Sequence, residues 1–213
     1  MVMNLAKELL YPAPFYNFLS YLSESDIEGP ILDCGAGGPN PKQALFVRLG
    51  LDVMGIEFSE ERLQQAQEYA KQNKLGLSMQ LADMREIPFE SDYFGHIFSY
   101  NTIFHMIKKD IKKAVGEMIR VIKPGGLCFV NFLSVDSGFY GEGEENQPGE
   151  CVITEGDEEI LHTFFTDEES DSFFDNVDIE ILFKEKRILH KKFEDGEVMD
   201  DAYIDYIVQK KQN

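Results

Sequence analysis

The strongest constraint on this chain is a short apolar run that ends in glycines. Pro30-Ile31-Leu32-Asp33-Cys34 leads directly into Gly35-Ala36-Gly37-Gly38-Pro39, the pattern of a buried strand that must turn sharply at its end. Similar runs recur at residues 51–58, 77–82, 94–100 and 127–133. Helix-period segments separate several of them. Asn40-Pro41 predicts a helix start, with the helix running through Ala44, Leu45 and Val47 to a stop at Gly50. Ser59 predicts a second start, with Glu60 and Glu61 in the first turn, where the helix dipole favours anions. Ile111, Ala114, Val115, Met118, Ile119 and Ile122 form one apolar stripe, and Pro124-Gly125-Gly126 ends that helix. Lysines 108, 109, 112 and 113 beside it read as a solvated face.

Alternation of this kind specifies a parallel sheet covered by helices on both faces. After Ser134 the pattern changes. Residues 134–163 carry glycines, acids and scattered apolar positions, which reads as a long loop or insertion. Thr166-Asp167-Glu168-Glu169 is a capping box opening a short helix that ends near Phe174. Val177, Ile179 and Ile181 alternate with acids, and residues 202–208 form a second strand-like run after a turn at Glu194-Asp195-Gly196-Glu197. The expectation is a doubly wound α/β fold of three layers. Its sheet has seven mostly parallel strands and a C-terminal antiparallel edge hairpin. One domain is expected over residues 1–213, divided into an N-terminal helical lid (1–29), a core (30–134), a substrate-side insertion (135–163) and a C-terminal helix with the hairpin (164–213).

Charge narrows the partners. The formal net charge of −19 argues against nucleic acid and against anionic membrane surfaces, both of which need basic patches. The excess is local: residues 142–201 hold 21 acidic and 5 basic side chains. No apolar run is long enough to span a bilayer, and the first eight residues lack a signal-peptide pattern. Cys34, Cys128 and Cys151 match neither a disulfide framework nor a metal site, so no metal is expected and the expected setting is the cytoplasm. Oligomeric state leaves no mark in the sequence.

In an open parallel sheet, ligands bind beyond the carboxyl ends of the strands, where the glycine turn lies. Glu57 follows Gly37 by 20 residues, at the end of the second strand, where a carboxylate can accept both hydroxyls of a ribose. These features suit a dinucleotide or an adenosyl ligand. Two details separate them. Asn40 stands where a dinucleotide fingerprint needs its third glycine. Asp33 would repel a pyrophosphate but attract an ammonium or a sulfonium.

At these residues the chain resembles the class I S-adenosylmethionine-dependent methyltransferases, in the branch that acts mostly on small molecules. The acid-x-Gly-x-Gly turn matches at Asp33, Gly35 and Gly37, and the acid ending strand two at Glu57. The acid-plus-apolar pair matches at Asp83-Met84. The run into strand four matches at Ile87-Pro88-Phe89 and Asp92-Tyr93-Phe94, and the end of strand four at Ser99-Tyr100-Asn101. The motif before strand five matches at Arg120-Val121-Ile122-Lys123-Pro124-Gly125-Gly126-Leu127. The resemblance implies a Rossmann-like sheet and methyl transfer from S-adenosylmethionine to a small-molecule acceptor by in-line displacement, leaving S-adenosylhomocysteine. It implies that Asp33, partly through water, orients the cofactor's amino group, and that Gly35, Ala36 and Gly37 carry its methionyl part. Glu57 holds the ribose, Phe58 and Met84 sandwich the adenine, Asp83 accepts from its amine, and Tyr100 flanks the methionyl end. Two other readings stay open: a non-catalytic cofactor-binding interaction module, and a nicotinamide-dependent oxidoreductase.

An acceptor that holds its proton at neutral pH needs a base. Candidates are His105, just past strand four, with Tyr140 and His162 in the insertion. His96 and His190 lie in strand patterns and read as structural, and Cys34 and Cys128 as small core residues. Tyr11 or Tyr16 of the aromatic N-terminal stretch could touch cofactor or substrate, unless that helix only packs on the core. The acids of the insertion suggest a cationic acceptor, tested at Glu142, Glu144 and Glu145.

Overall fold

The computed structural model describes residues 10–175, 177–192, 196 and 198–212. The turn expected at 194–197 lies outside these except for Gly196, as does the N-terminal stretch 1–9.

β1 (Ile31–Cys34) is the centre of the sheet, buried at all four positions. It pairs in parallel with β2 (Val53–Glu57) on one side and β4 (His96–Ser99) on the other. β3 (Ser78–Leu81) lies outside β2, and β5 (Leu127–Ser134) outside β4, both parallel. The chain thus winds outward one way from β1 and then restarts on the other side. A crevice opens between β1 and β4, at their carboxyl ends. β10 (Val198–Lys210) runs antiparallel to β5, and β9 (Ile179–Lys192) antiparallel to β10. These seven strands are the expected sheet with its edge hairpin.

Side chains alternate between the two faces, as strand geometry requires. Ile31, Phe98 and Phe129 face α1 (Ala13–Ser23) and α2 (Ala44–Arg48). Leu32, Ile97, Cys128 and Val130 face α4 (Lys108–Val121), whose apolar stripe is buried along its length. α3 (Glu60–Asn73) starts where Ser59 accepts from the Arg62 N–H at 3.3 Å, as its sequence predicts. No helix fills the crossover from β3 to β4. Its exposed backbone groups are met by α4 instead: Arg120 donates to the carbonyls of Ile87 and Phe89, and Glu117 accepts from the Ile87 N–H. The motif arginine therefore replaces a missing element's hydrogen bonds.

Three expectations need correction. The helix after the glycine turn does not begin at Asn40; α2 begins at Ala44 with Gln43 before it and is five residues long. Pro41 and Lys42 form turns whose carbonyls accept from Ala44 and Leu45, so Asn40 caps nothing. The N-terminal helix is a core layer rather than a lid. Phe15 and Phe18 are fully buried, with their rings 4.6 and 5.2 Å from that of Phe98.

The third correction matters most. Residues 144–165 are not a loop but an antiparallel sheet of β6 (Glu144–Gln147), β7 (Glu150–Glu155) and β8 (Glu158–Phe165). β8 joins the main sheet by pairing Phe164 and Phe165 in parallel with Leu133 and Ser134. β4 stops pairing with β5 at Val130, so β8 occupies the space directly beyond the tip of β4. α5 (Asp167–Asp171) follows, with Thr166 accepting from the Glu169 N–H as the capping box predicts. Among the described residues no helix is long and apolar enough to cross a membrane.

Candidate active site

The glycine turn is stitched down by its own backbone. Gly35 and Ala36 N–H groups both donate to the Ile56 carbonyl, Gly38 N–H to the Arg62 carbonyl, and Gly37 N–H to Glu57 Oε2 at 3.0 Å. Gly35 has φ +88°, and a Cβ there would stand 2.4 Å from the Thr102 side chain. No N–H of this turn is left to cradle a pyrophosphate, the contact on which dinucleotide sites depend. The five-residue α2, starting at Ala44, does not supply it either.

Gly37 faces Glu57 at contact distance. A Cβ would lie 2.4 Å from Oε2 and 2.6 Å from Cγ. Gly37→Ala is therefore expected to push Glu57 off the Gly37 N–H and to destabilise the fold by about 1–3 kcal/mol, read by urea denaturation. An unchanged midpoint would mean that the turn relaxes freely.

Asp33 is buried beneath the turn and lines none of the three cavities at the carboxyl edge of the sheet. It accepts the backbone N–H of Gln43, while its Oδ2 has no hydrogen-bond partner among the described residues. Burial, reinforced by the nearby Glu57 charge and only partly opposed by the Gln43 bond, pushes its carboxyl up to about 7. Ala36 is equally buried and packs under Gly55.

Three cavities line the carboxyl edge of the sheet. The first, about 400 Å³, is walled by Gly35, Glu57, Phe58, Asp83, Met84 and His105. The second, also about 400 Å³, lies under the inserted sheet between Asn101, His105, His162 and Tyr203. A third, about 360 Å³, holds Gly37, Arg62, Tyr100 and Thr102. Gly35 and Thr102 border both the first and the third, His105 the first and the second, Asn101 the second and the third. Most of the residues singled out from sequence thus surround one junction at the β1–β4 crevice. Tyr16 does not: it is part-exposed on α1, accepts from the Tyr11 N–H, and lines none of the three. Tyr140 and His190 are likewise outside them; His190 pairs with Asp200 on the hairpin. His96 is structural, set between the Ile27 carbonyl and the Leu127 N–H.

Glu57 is nearly buried, and besides Gly37 it accepts from the Ser59 N–H at 2.9 Å. Asp83 is held by Arg85, which donates to both carboxylate oxygens through its backbone and guanidinium, lies over the Phe58 ring, and also pairs with Asp110. Hydrogen bonding by Arg85 keeps the Asp83 carboxyl below its usual range. Any amine bound at this carboxylate would share it with Arg85, two residues further along the chain. Cys34 and Cys128 are buried thiols whose pKa burial raises, Cys128 to about 12.

Sequence reasoning missed the support behind strand four. Asn101 has φ +52°, a left-handed conformation that Asn tolerates. It is fixed by reciprocal 2.7 Å bonds with Asn131 of β5. Asn131 also bonds Asp205 of β10, which is buried and gripped by Arg187 of β9 at 2.8 and 3.2 Å; Arg187 in turn bonds Tyr100. No local signal marks this network, because its members lie on four different strands or strand ends. Among the described residues no cluster of His, Cys, Asp or Glu could hold a metal ion.

Comparison with known proteins agrees with this geometry. Residues 32–130 match a family model described as a methyltransferase domain. The chain is 32% identical over 98 residues to methyltransferase GfsG of Streptomyces halstedii, covering 45% of this chain and 34% of that protein. It is 29% identical over 127 residues to sterol 24-C-methyltransferase of Pneumocystis carinii, covering 58% of this chain and 31% of that protein. The matches thus span about a third of the length of these curated relatives. Among solved structures, a SAM-dependent methyltransferase of Methanosarcina mazei superposes with a TM-score of 0.75 at 18% identity, over 96% of this chain and 99% of that one. Another from Clostridium acetobutylicum does so with 0.71 at 17% identity, over 98% and 95%. Turn, sheet order and matched segment converge: residues 32–130 match the methyltransferase domain, and the chain as a whole shares the fold of solved S-adenosylmethionine-dependent methyltransferases.

Proposed function

We propose that this chain transfers a methyl group from S-adenosylmethionine to a small-molecule acceptor. The observation that carries the reading is the junction of three cavities at Gly35, Asn101, Thr102 and His105. The adenosyl part fits the first cavity, between Phe58 and Met84, with Glu57 positioned for the ribose and Asp83 toward the adenine. The methionyl part fits the third, along Gly35, Gly37 and Tyr100, above the buried and unpartnered Oδ2 of Asp33. The acceptor fits the second, which the inserted sheet closes. When bound, the cofactor supplies an electrophilic methyl carbon. The chain's part is alignment at the junction and exclusion of water by the inserted sheet.

Sterol methyltransferases among the relatives support a small molecule as acceptor. The turn's lack of free N–H groups weighs against a nicotinamide dinucleotide. The acids of β6 do not support selection of cations: Glu144 and Glu145 are exposed, and neither these nor Glu142 line the second cavity, where Glu155 is the insertion's acid. Three buried free thiols fit a reducing compartment such as the cytoplasm.

Titration calorimetry with S-adenosylhomocysteine tests the reading. Saturable binding in the micromolar range is expected, and no heat up to low millimolar ligand would refute it.

A further inference from the structure

We propose that the acceptor is an aromatic hydroxyl compound, a phenol, and that His105 accepts its proton. This rests on the methyl-transfer function proposed above and names the substrate class of the same site.

The second cavity presents aromatic surface to its occupant. Phe104, Phe139 and Tyr203 give it aromatic walls, and Leu133 adds an aliphatic one. Its charged groups are largely occupied. Asp201 is paired with Lys191 and accepts the Tyr203 hydroxyl at 3.2 Å. Glu155 lies 2.9 Å from His162 Nε2, at an angle too bent for a hydrogen bond. A carboxylate acceptor would find Lys191 already neutralised. An ammonium would find Asp201 already neutralised and only Glu155, beside His162, to meet it, and it has no lone pair with which to attack.

His105 stands on the boundary between this cavity and the first. Its Nδ1 is 3.1 Å from the Leu161 carbonyl of β8. A carbonyl only accepts, so Nδ1 carries the hydrogen and the neutral ring presents the Nε2 lone pair. Among the described residues nothing bonds Nε2. The ring is open toward the cavity but crowded by protein behind, with Phe104 at 4.7 Å and His162 edge-on at 4.9 Å between centroids. This crowding lowers its pKa; the Leu161 bond and Glu155 of β7 oppose the shift, while His162 of β8 and Arg62 of α3 add to it. The imidazole is therefore neutral at pH 7 and able to accept a proton.

A neutral imidazole is matched to a phenol, whose pKa near 10 is that of a tyrosine, and is too weak a base for an alkyl alcohol. In the transfer, the phenol oxygen forms the new bond to the methyl carbon. The bond from that carbon to sulfur breaks with its electron pair staying on sulfur, and the hydroxyl proton passes to His105 Nε2. The products are an aryl methyl ether, a neutral thioether and an imidazolium that returns its proton to solvent.

The test uses 2-naphthol, which keeps its proton at neutral pH, and 2-naphthylmethylamine as probes, titrated into the full chain saturated with S-adenosylhomocysteine at pH 7.5. The variant is His105→Asn, whose amide nitrogen keeps the bond to the Leu161 carbonyl but removes the Nε2 acceptor. Its fold is checked by melting temperature, and each protein is saturated at its own measured cofactor-product affinity. His105→Gln, which retains an amide near the Nε2 position, is the second variant should His105→Asn melt early. The wild type is expected to bind 2-naphthol at least tenfold more tightly than the amine, with the naphthol absorbance shifted toward the naphtholate. His105→Asn is expected to lose at least tenfold of that binding together with the shift. With S-adenosylmethionine, its kcat for aryl ether formation is expected to fall at least a hundredfold. Tighter binding of the amine, or equal phenol binding and shift by the variants, would overturn the proposal. Absence of S-adenosylhomocysteine binding would instead remove the methyltransferase reading beneath it. Cofactor-product binding without any 2-naphthol binding overturns this inference alone.

Discussion

Asp33→Asn is expected to make the protein more stable at pH 8 and to cripple its grip on the cofactor. The folded carboxyl titrates near 7 because burial disfavours its charge, whereas an unfolded aspartate titrates near 3.9. Between those values the unfolded chain releases a proton that the folded chain retains. The stability associated with Asp33 is therefore fully present below pH 4 and is lost as pH rises through 7. The full difference is on the order of 4 kcal/mol. An asparagine keeps the acceptor for the Gln43 N–H and never ionises. Its stability should stay level where the wild type declines, so the two melting curves converge near pH 4, draw apart as pH rises toward 7, and keep a constant gap above it. Binding should move the other way. On the proposed reading, the orphaned Oδ2 is the charge that a ligand ammonium meets through water. Its loss should weaken S-adenosylhomocysteine by about ten- to a hundredfold, the range of a charge-assisted contact of roughly 1.5–3 kcal/mol. Melting over pH 4–8 with calorimetry at pH 8 reads both. Parallel melting curves for the two proteins would show that Asp33 is not held neutral.

The second large effect is expected at Arg187. Asp205 is fully buried, and its carboxyl is pulled upward by burial and held back chiefly by Arg187. Arg187→Ala strands that carboxylate with only Asn131 beside it. Removing one partner of such a pair costs about 3–5 kcal/mol, measurable by urea denaturation. The damage should also reach the site. Asn131 holds the left-handed Asn101, and Arg187 holds Tyr100, so two neighbouring residues of the third cavity lose their brace. Replacing both partners, as in Arg187→Met with Asp205→Leu, should restore most of the stability, since no unpaired charge remains. A double variant as unstable as the single one would show that the pair does more than neutralise itself.

These two residues also mark where sequence reading succeeds and fails. Asp33 is legible because strand, acid and glycines are consecutive, and their local chemistry dictates the turn. The α4 stripe is legible because a helical period over a dozen residues admits one face. Arg187 and Asp205 are not. They meet because β9 and β10 pair Tyr203 with Arg187 and Asp205 with Glu185, which places them diagonally on one face. A register of that kind is settled by tertiary packing. β6 was hidden for a related reason: Glu144-Glu145-Asn146-Gln147 has no apolar alternation and is fully exposed. It is a strand only because β7 supplies its hydrogen bonds, context overriding propensity. Asn40 misled in the opposite sense. A good cap residue before proline is a sufficient local signal, but the turn at Pro41 and Lys42 uses the backbone first.

The attachment of the inserted sheet has a consequence for inheritance. Its strand pairing to the main sheet is limited to Leu133 with Phe164 and Ser134 with Phe165; further ties run to the segment after β4, through His105, Met106 and Lys108. The residues that would grip the cofactor belong to chain already folded around β1, β2 and β4 before this sheet begins. On the proposed function, a lineage could therefore exchange residues 144–165 to change the acceptor while leaving the cofactor-facing residues untouched.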